Sequence, residues 1–301
     1  MEKIASIDIG SNTLRLLLAE KTGEKFRALF RDREIVRLGR NFYPDRLLSA
    51  QAIKAALMVL KRFKVRAEHE GVAQFRVVGT GVLREAENAL FFIDQVTRET
   101  GVLVNIIHGL EEARIMAKGV LSIFPSTYGK TVIFDLGGGS TEFVFMNDGK
   151  MDERISLPLG VVGLTEKFLI SNPPRSNELE SLRVHCQNIL KKNLAKNDRI
   201  NNIIGTAGTV TTLAAIAKNL IVYDPDQING TVLTKETLVE LSNKILSLSF
   251  DQRAELKGLE PERADIIGAG ILLVLEIMIY FSQTVLLVSD AGLLEGLILD
   301  A

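Results

Sequence analysis

The chain is poor in the residues that several kinds of chemistry require. Its 301 residues include one cysteine, Cys186, so no disulfide can form within it. That cysteine lies in an apolar-periodic stretch with His185 and Ile189, which reads as the core face of a helix and not as the setting of a nucleophile. The three histidines, His69, His108 and His185, have no metal-ligand spacing, and no Ser–His–Asp pattern is present. Zinc and covalent mechanisms are therefore disfavoured. Neither sign of charge is in excess: 36 Lys and Arg face 37 Asp and Glu, a formal net charge of −1. With no global field to gather polyanions, an anionic substrate must be held by a local site. No low-complexity tract occurs. The N-terminus, Met1-Glu2-Lys3, passes straight into a strand-like run without an apolar leader, so a cytoplasmic location is expected.

Hydrophobic residues make up 47% of the chain, enough for ample core, and the length suits about two domains of roughly 150 residues. One apolar run stands out, Ile266 to Val288, with Glu276 its single charge. Ser282-Gln283-Thr284 divides it into a helix-like first part and a β-branched second part, so a buried helix and a central strand explain it and no membrane span is expected.

Strands and helices alternate along the chain, as in α/β proteins. Strand-like runs are Ile4–Ile9, Leu14–Glu20, Phe26–Val36, Gln74–Gly79, Leu103–His108, Thr131–Asp135, Thr141–Asn147, Ile155–Leu159, Ile203–Thr206 and Thr284–Ser289. Helical patterns cover Ser49–His69, Ala86–Thr100, Glu111–Ile123, Val162–Phe168, Ser176–Lys196, Thr209–Lys218, Lys235–Leu246 and Pro261–Phe281, with Ser49 and Ser176 read as N-caps. The polar stretch Phe124–Lys130 is the expected crossing between domains. A weak repeat organises the whole. IASIDIGSNTLRLLL (from Ile4) and TVIFDLGGGSTEFVF (from Thr131) each read strand, Asp, apolar residue, Gly/Ser turn, strand, the second with one extra residue in its turn. This suggests a duplicated domain with an inward-facing hairpin loop in each half.

Turns of this composition present backbone N–H groups without Cβ obstruction, which suits phosphate oxygens. Gly10, Ser11 and Asn12 form one; Gly137, Gly138, Gly139 and Ser140 form the other. Asp8 and Asp135, closing the preceding strands, are placed to hold a hydrated Mg²⁺, which takes few carboxylates. A third loop, GTAGT from Gly205, opens a helix and offers Gly208 and Thr209 to an anion at the helix N-terminus. In VVGTGVLREAEN, from Val77, Thr80 and Arg84 follow a strand, and an arginine there would neutralise charge on a transferred phosphoryl group. Glu111 and Glu112, in the first turn of a helix, are candidate bases for an attacking water, although acids there also complement the helix dipole.

At this point the chain resembles the exopolyphosphatase / guanosine pentaphosphate phosphohydrolase (Ppx/GppA) family, in its short two-domain form, within the actin, sugar-kinase and chaperone-ATPase superfamily. The matching segments run in order: DIGSNTLRLLL from Asp8, VVGTGVLREAENA from Val77, EEAR from Glu111, IFDLGGGSTEFVF from Ile133, PLGVVGLTE from Pro158, GTAGT from Gly205 and VSDAGLLEG from Val288. The resemblance implies a duplicated actin-like (ribonuclease H-like) α/β fold, each domain a mixed sheet flanked by helices, with the active site in the interdomain cleft. Residues 1–124 would form the first domain, residues 290–301 would pack back on it as a terminal helix, and residues 125–289 would form the second. It further implies release of terminal orthophosphate from polyphosphate with Mg²⁺ (or Mn²⁺), Glu112 as general base, Arg84 as a catalytic arginine, and Asp135 and Glu142 as acids that bind metal or position water. The phosphate contacts would come from Gly10, Ser11, Asn12, Thr80, Gly137, Gly138, Gly139, Ser140, Gly208 and Thr209, with Asp8 joining the metal ligands. A homodimer is the assembly it points to; nucleic acid and membrane are not expected partners.

Three positions depart from the family pattern. Gly81 stands where members often carry Ser or His, and Gly163 and Leu294 stand where arginines are often seen. The machinery equally suits the 5′-γ-phosphate of guanosine pentaphosphate, and the departures motivate a catalytically weak polyphosphate or alarmone sensor as a third reading. The basic run Arg27, Arg31, Arg33, Arg37 and Arg40 is either a contact for a long polyanion or a solvated strand face.

Overall fold

The computed structural model describes residues 2–125, 129–194 and 200–301. It comprises two units, Met1–Ser122 with Gly292–Ala301, and Ile123–Ala291. Residues 126–128 of the expected crossing, and the last two residues of the helix expected over 176–196, lie outside the described residues.

The first unit opens with an antiparallel meander, β1 (Glu2–Ile9), β2 (Thr13–Thr22) and β3 (Lys25–Ile35), followed by α1 (Ala50–His69), β4 (Gln74–Gly79), α2 (Ala89–Thr100), β5 (Asn105–Ile106) and α3 (Gly109–Ile123). The sheet order is β3-β2-β1-β4-β5, with β4 parallel to β1. Strands β1 and β2 are apolar on both faces because both are covered. Ala5, Ile7, Ile9, Leu14, Leu16 and Leu18 share a cluster with Leu60, Phe63 and Phe92, while Ile4, Leu17 and Ala19 on the opposite face pack on Leu294 and Ile298. Ser49 caps α1 as expected, its Oγ accepting from the Ala52 amide at 3.2 Å, a cap worth about 1 kcal/mol. The strand expected over 103–108 shrinks to a two-residue edge, β5.

The second unit repeats that plan. It contains β6 (Lys130–Leu136), β7 (Thr141–Asn147), β8 (Lys150–Leu157), α4 (Val161–Phe168), α5 (Ser176–Asn193), β9 (Asn202–Thr206), α6 (Ala207–Ala217), α7 (Pro225–Ile228), β10 (Val232–Thr234), α8 (Lys235–Ser247), α9 (Phe250–Ala254), α10 (Ile267–Tyr280) and β11 (Val285–Val288). Its order, β10-β11-β9-β6-β7-β8, places an antiparallel meander beside a strand parallel to its first member, as in the first unit. Strand β8 starts five residues before the expected Ile155, because Asp148 (φ 46°) and Gly149 (φ 76°) make a two-residue hairpin pairing Asn147 with Lys150. Two positive φ values in an Asp-Gly pair mark a hairpin whose twist matches its strands. Ser176 is the first helical residue of α5 and not its cap; Glu178 instead accepts from the Arg175 amide at 2.9 Å. The apolar run divides as expected into α10 and β11, and no helix among the described residues is long and apolar enough to cross a membrane. Buried Glu276 on α10 accepts from Gln187 Nε2 at 2.9 Å. Cys186 is buried beside it, and desolvation, with the nearby Glu276 charge, pushes its thiol up to about 12.

The chain ends in α11 (Leu293–Leu299), within the first unit. Backbones of α3 and α11 meet so closely that a Cβ on Gly119 would overlap the Gly292 carbonyl, and one on Gly296 the Ile115 carbonyl. Arg114 and Lys118 of α3 pair with Asp300 at 2.6 and 3.2 Å. The Arg114 hydrogen bond is the main cause holding the Asp300 carboxyl down at about 2. Leu294 is buried in the apolar cluster with Ile4, Leu17, Ala19 and Ile298.

Candidate functional site

The first two strands of each meander are joined by the same tight turn, and the two turns have equal length. The Gly10 amide donates to the Thr13 carbonyl at 3.2 Å, and the Gly137 amide to the Ser140 carbonyl at 3.0 Å. Registers agree as well: Ile9 faces Leu14 and Asp8 faces Arg15, while Leu136 faces Thr141 and Asp135 faces Glu142. The extra residue expected in the second turn is therefore absent; residues 10–13 and 137–140 are equivalent.

In the first unit, the Asp8 carboxylate is almost fully occupied. Arg15 donates through Nε and a terminal nitrogen to Oδ2 at 3.0 and 2.6 Å, and Thr80 Oγ1 donates to Oδ1 at 3.1 Å. Asp8, expected among the metal ligands, thus has its charge met by a guanidinium from the facing strand. Arg15 was not singled out by motif, although a four-residue turn places residue 15 opposite residue 8. Ser11 also does structural work: its Oγ accepts from the Val82 amide at 3.0 Å, tying the first turn to the segment after β4. Gly81 sits between them at φ 53°, and a Cβ there would overlap Ser11 Oγ. A side chain at this position would have to displace the Ser11 hydroxyl and hold a left-handed backbone. The Asn12 carbonyl accepts from the Val36 and Arg37 amides at 3.1 and 2.9 Å, fastening the exit of β3. Glu112, 8% exposed in the first turn of α3, is ion-paired with Arg84 from the 3₁₀ turn Gly81–Arg84. Its neighbour Glu111 instead pairs with Arg114 at 2.8 Å. Of the basic run, Arg27 pairs with Glu20 at 2.8 Å and Arg31 with buried Glu295 at 2.5 Å, both within the unit.

In the second unit, Asp135 and Glu142 are buried, 5% and 1% exposed, and lie directly opposite each other on β6 and β7. Glu142 Oε1 accepts from Ser140 Oγ at 2.7 Å and from Ser156 Oγ on β8 at 2.8 Å. Adjacent carboxylates repel, and like charges directly opposite in a sheet are destabilising. Two oxygen-donor acids side by side fit a hard divalent ion that keeps several waters. The loop beneath is rigid. Val161 and Val162 at the start of α4 donate to the Gly137 and Gly138 carbonyls at 3.1 and 3.0 Å, and a Cβ on Gly160 would overlap the Gly138–Gly139 backbone. Thr206 faces Asp135 in register and leads into α6. Gly208, at the head of α6, lies under the guanidinium of buried Arg263, itself bonded to Glu260 at 2.7 Å. Thr209 is buried and turns its methyl onto Gly270 of α10.

A second repeat joins the first. Val77-Val78-Gly79-Thr80-Gly81 and Ile203-Ile204-Gly205-Thr206-Ala207 each end a strand parallel to the meander and turn through positive φ, 53° at Gly81 and 72° at Ala207. A left-handed alanine costs about 1 kcal/mol, and such strain persists where the surroundings demand it.

Comparisons with known proteins agree with this architecture. The model of the Ppx/GppA phosphatase family matches residues 17–301. Exopolyphosphatase 2 of Mycobacterium tuberculosis is 29% identical over 100% of this chain and 98% of its own length. The bifunctional 3-dehydroquinate synthase/phosphatase of Fusobacterium nucleatum is 34% identical over 98% of this chain, which spans 46% of that longer protein. Among solved structures, the PPX-GPPA enzyme of Aquifex aeolicus superposes with a TM-score of 0.85 at 33% identity, covering 100% of this chain and 99% of its own.

Proposed function

Because the chain belongs to the Ppx/GppA phosphatase family, we propose that it is an exopolyphosphatase, releasing terminal orthophosphate from inorganic polyphosphate by in-line attack of water. The observation that carries this reading is Glu112, a buried carboxylate in the first turn of α3 held by the Arg84 guanidinium. Glu112 takes the proton of the attacking water, and Arg84 stabilises charge developing on the phosphoryl oxygens. Backbone amides of the turns at 10–13 and 137–140 cradle phosphates, and the Arg15–Asp8 pair keeps the first turn in shape. Asp135 and Glu142 would hold Mg²⁺ (or Mn²⁺), which would neutralise substrate charge when bound. Similarity to the M. tuberculosis exopolyphosphatase over nearly its full length supports polyphosphate as the substrate. A cytoplasmic location goes with this reading.

The test is orthophosphate release by the purified chain in Mg²⁺ from long-chain polyphosphate and from guanosine pentaphosphate, with Glu112→Gln alongside. Release from polyphosphate that falls by about 10²–10⁴-fold in the variant is the expected result. Release from the nucleotide alone would reassign the substrate, and full turnover by Glu112→Gln would remove the proposed base.

A further inference from the structure

The acid pair of the second unit includes a third member that no motif marked. Strand β8 runs antiparallel to β7, and its register puts Ser156 opposite Glu142, which faces Asp135 on its other side. Three adjacent strands thus present Asp135, Glu142 and Ser156 in one row. Ser156 Oγ (2.8 Å) and Ser140 Oγ (2.7 Å) converge on the same carboxylate oxygen, Oε1. One donor stands two residues back along the Glu142 strand and the other lies across the ladder. A glutamate has a broad, weakly restrained terminal torsion, and two donors, one from the turn and one from β8, pin Oε1 where a single one would leave it freer to swing. Each hydroxyl carries one proton. Here both protons go to Oε1, so Ser140 and Ser156 act together on Glu142.

We propose that Ser156 is a positioning residue: with Ser140 it sets the Glu142 carboxylate in the orientation in which it and Asp135 take a divalent cation. The inference rests on reading Asp135 and Glu142 as the cation cradle. Hydrogen-bond partners of ligating carboxylates commonly carry 10–100-fold in metal affinity, which sets the effect to look for.

Mn²⁺ binding to the full chain without substrate, followed by electron paramagnetic resonance, reads this directly. Ser156→Ala should weaken Mn²⁺ binding by about 10-fold, and Ser156→Thr, which keeps the hydroxyl on a residue suited to a strand, should restore it to within about twofold of the parent. The melting temperature of the metal-free Ala variant should stay close to the parent's. Parent-like Mn²⁺ binding by Ser156→Ala, together with its loss in Glu142→Gln, would overturn the role of Ser156 and leave the cradle standing. Parent-like binding by Glu142→Gln and Asp135→Asn would remove the cradle and the inference with it. If Ser156→Thr bound as weakly as the Ala variant while the metal-free protein melted early, Ser156 would be a packing residue only.

Discussion

The two hairpins of this protein share a turn, a register and a leading aspartate, yet differ at the residue facing that aspartate. In the first unit it is Arg15, itself opposite Arg33 on β3, giving a row of Asp8, Arg15 and Arg33. In the second it is Glu142, opposite Ser156, giving Asp135, Glu142 and Ser156. One duplicated scaffold therefore places a guanidinium across from one aspartate and a second carboxylate across from the other. The difference teaches that a strand–Asp–turn motif does not by itself fix what its aspartate meets; the cross-strand neighbour, seven positions on, does.

The strongest way to break this contrast is to write the first row into the second. Glu142→Arg should pair with Asp135 as Arg15 pairs with Asp8, and orthophosphate release should fall by about 10³-fold or more, as on losing a principal electrostatic element, with the fold retained by circular dichroism. The converse change acts on stability: Arg15→Gln leaves the buried Asp8 charge with Thr80 alone and should cost about 2 kcal/mol in urea unfolding, less than a fully buried pair because Arg15 is partly exposed. Ala207→Gly copies the first unit's Gly81 into the second. It should stabilise by about 1 kcal/mol by relieving the left-handed alanine; destabilisation would show that the Ala207 methyl supplies packing that outweighs the strain. The smallest effect concerns the fastening of α11 to α3. The Asp300 carboxyl is depressed to about 2 in the folded protein. Its contribution is therefore fully present above the ordinary carboxylate range, near pH 4, and is lost as pH falls through about 2. Asp300→Asn should flatten acid unfolding in that window, and an unchanged acid limb would mean other carboxylates set it.

Of the fold, the parts written in local pattern were legible. Gln74–Gly79 and Thr141–Asn147 are observed with the bounds expected, because an apolar strand is bounded by turn residues on each side. Ser49 could be read as a cap because its hydroxyl acts within three residues. Elements built from long-range packing were not legible: β10 is three residues long and exists by pairing with β11, and the start of β8 depends on reading Asp148-Gly149 as a hairpin. Among the site residues, the types were legible and several roles were not. Ser11 binds an amide across a gap of 71 residues and Thr209 packs on α10, contacts that no spacing announces.

By itself the sequence determined the duplicated strand–turn–strand units and the buried helix and strand inside the apolar run, since these are carried by periodicity and by motif. Only the tertiary structure decided which carboxylate meets a guanidinium, which serines bond Glu142, and what a side chain at position 81 would meet. Register and close backbone approach set those outcomes, and both arise between segments far apart in the chain, where hydrogen-bond ladders and excluded volume act and local propensity has no say.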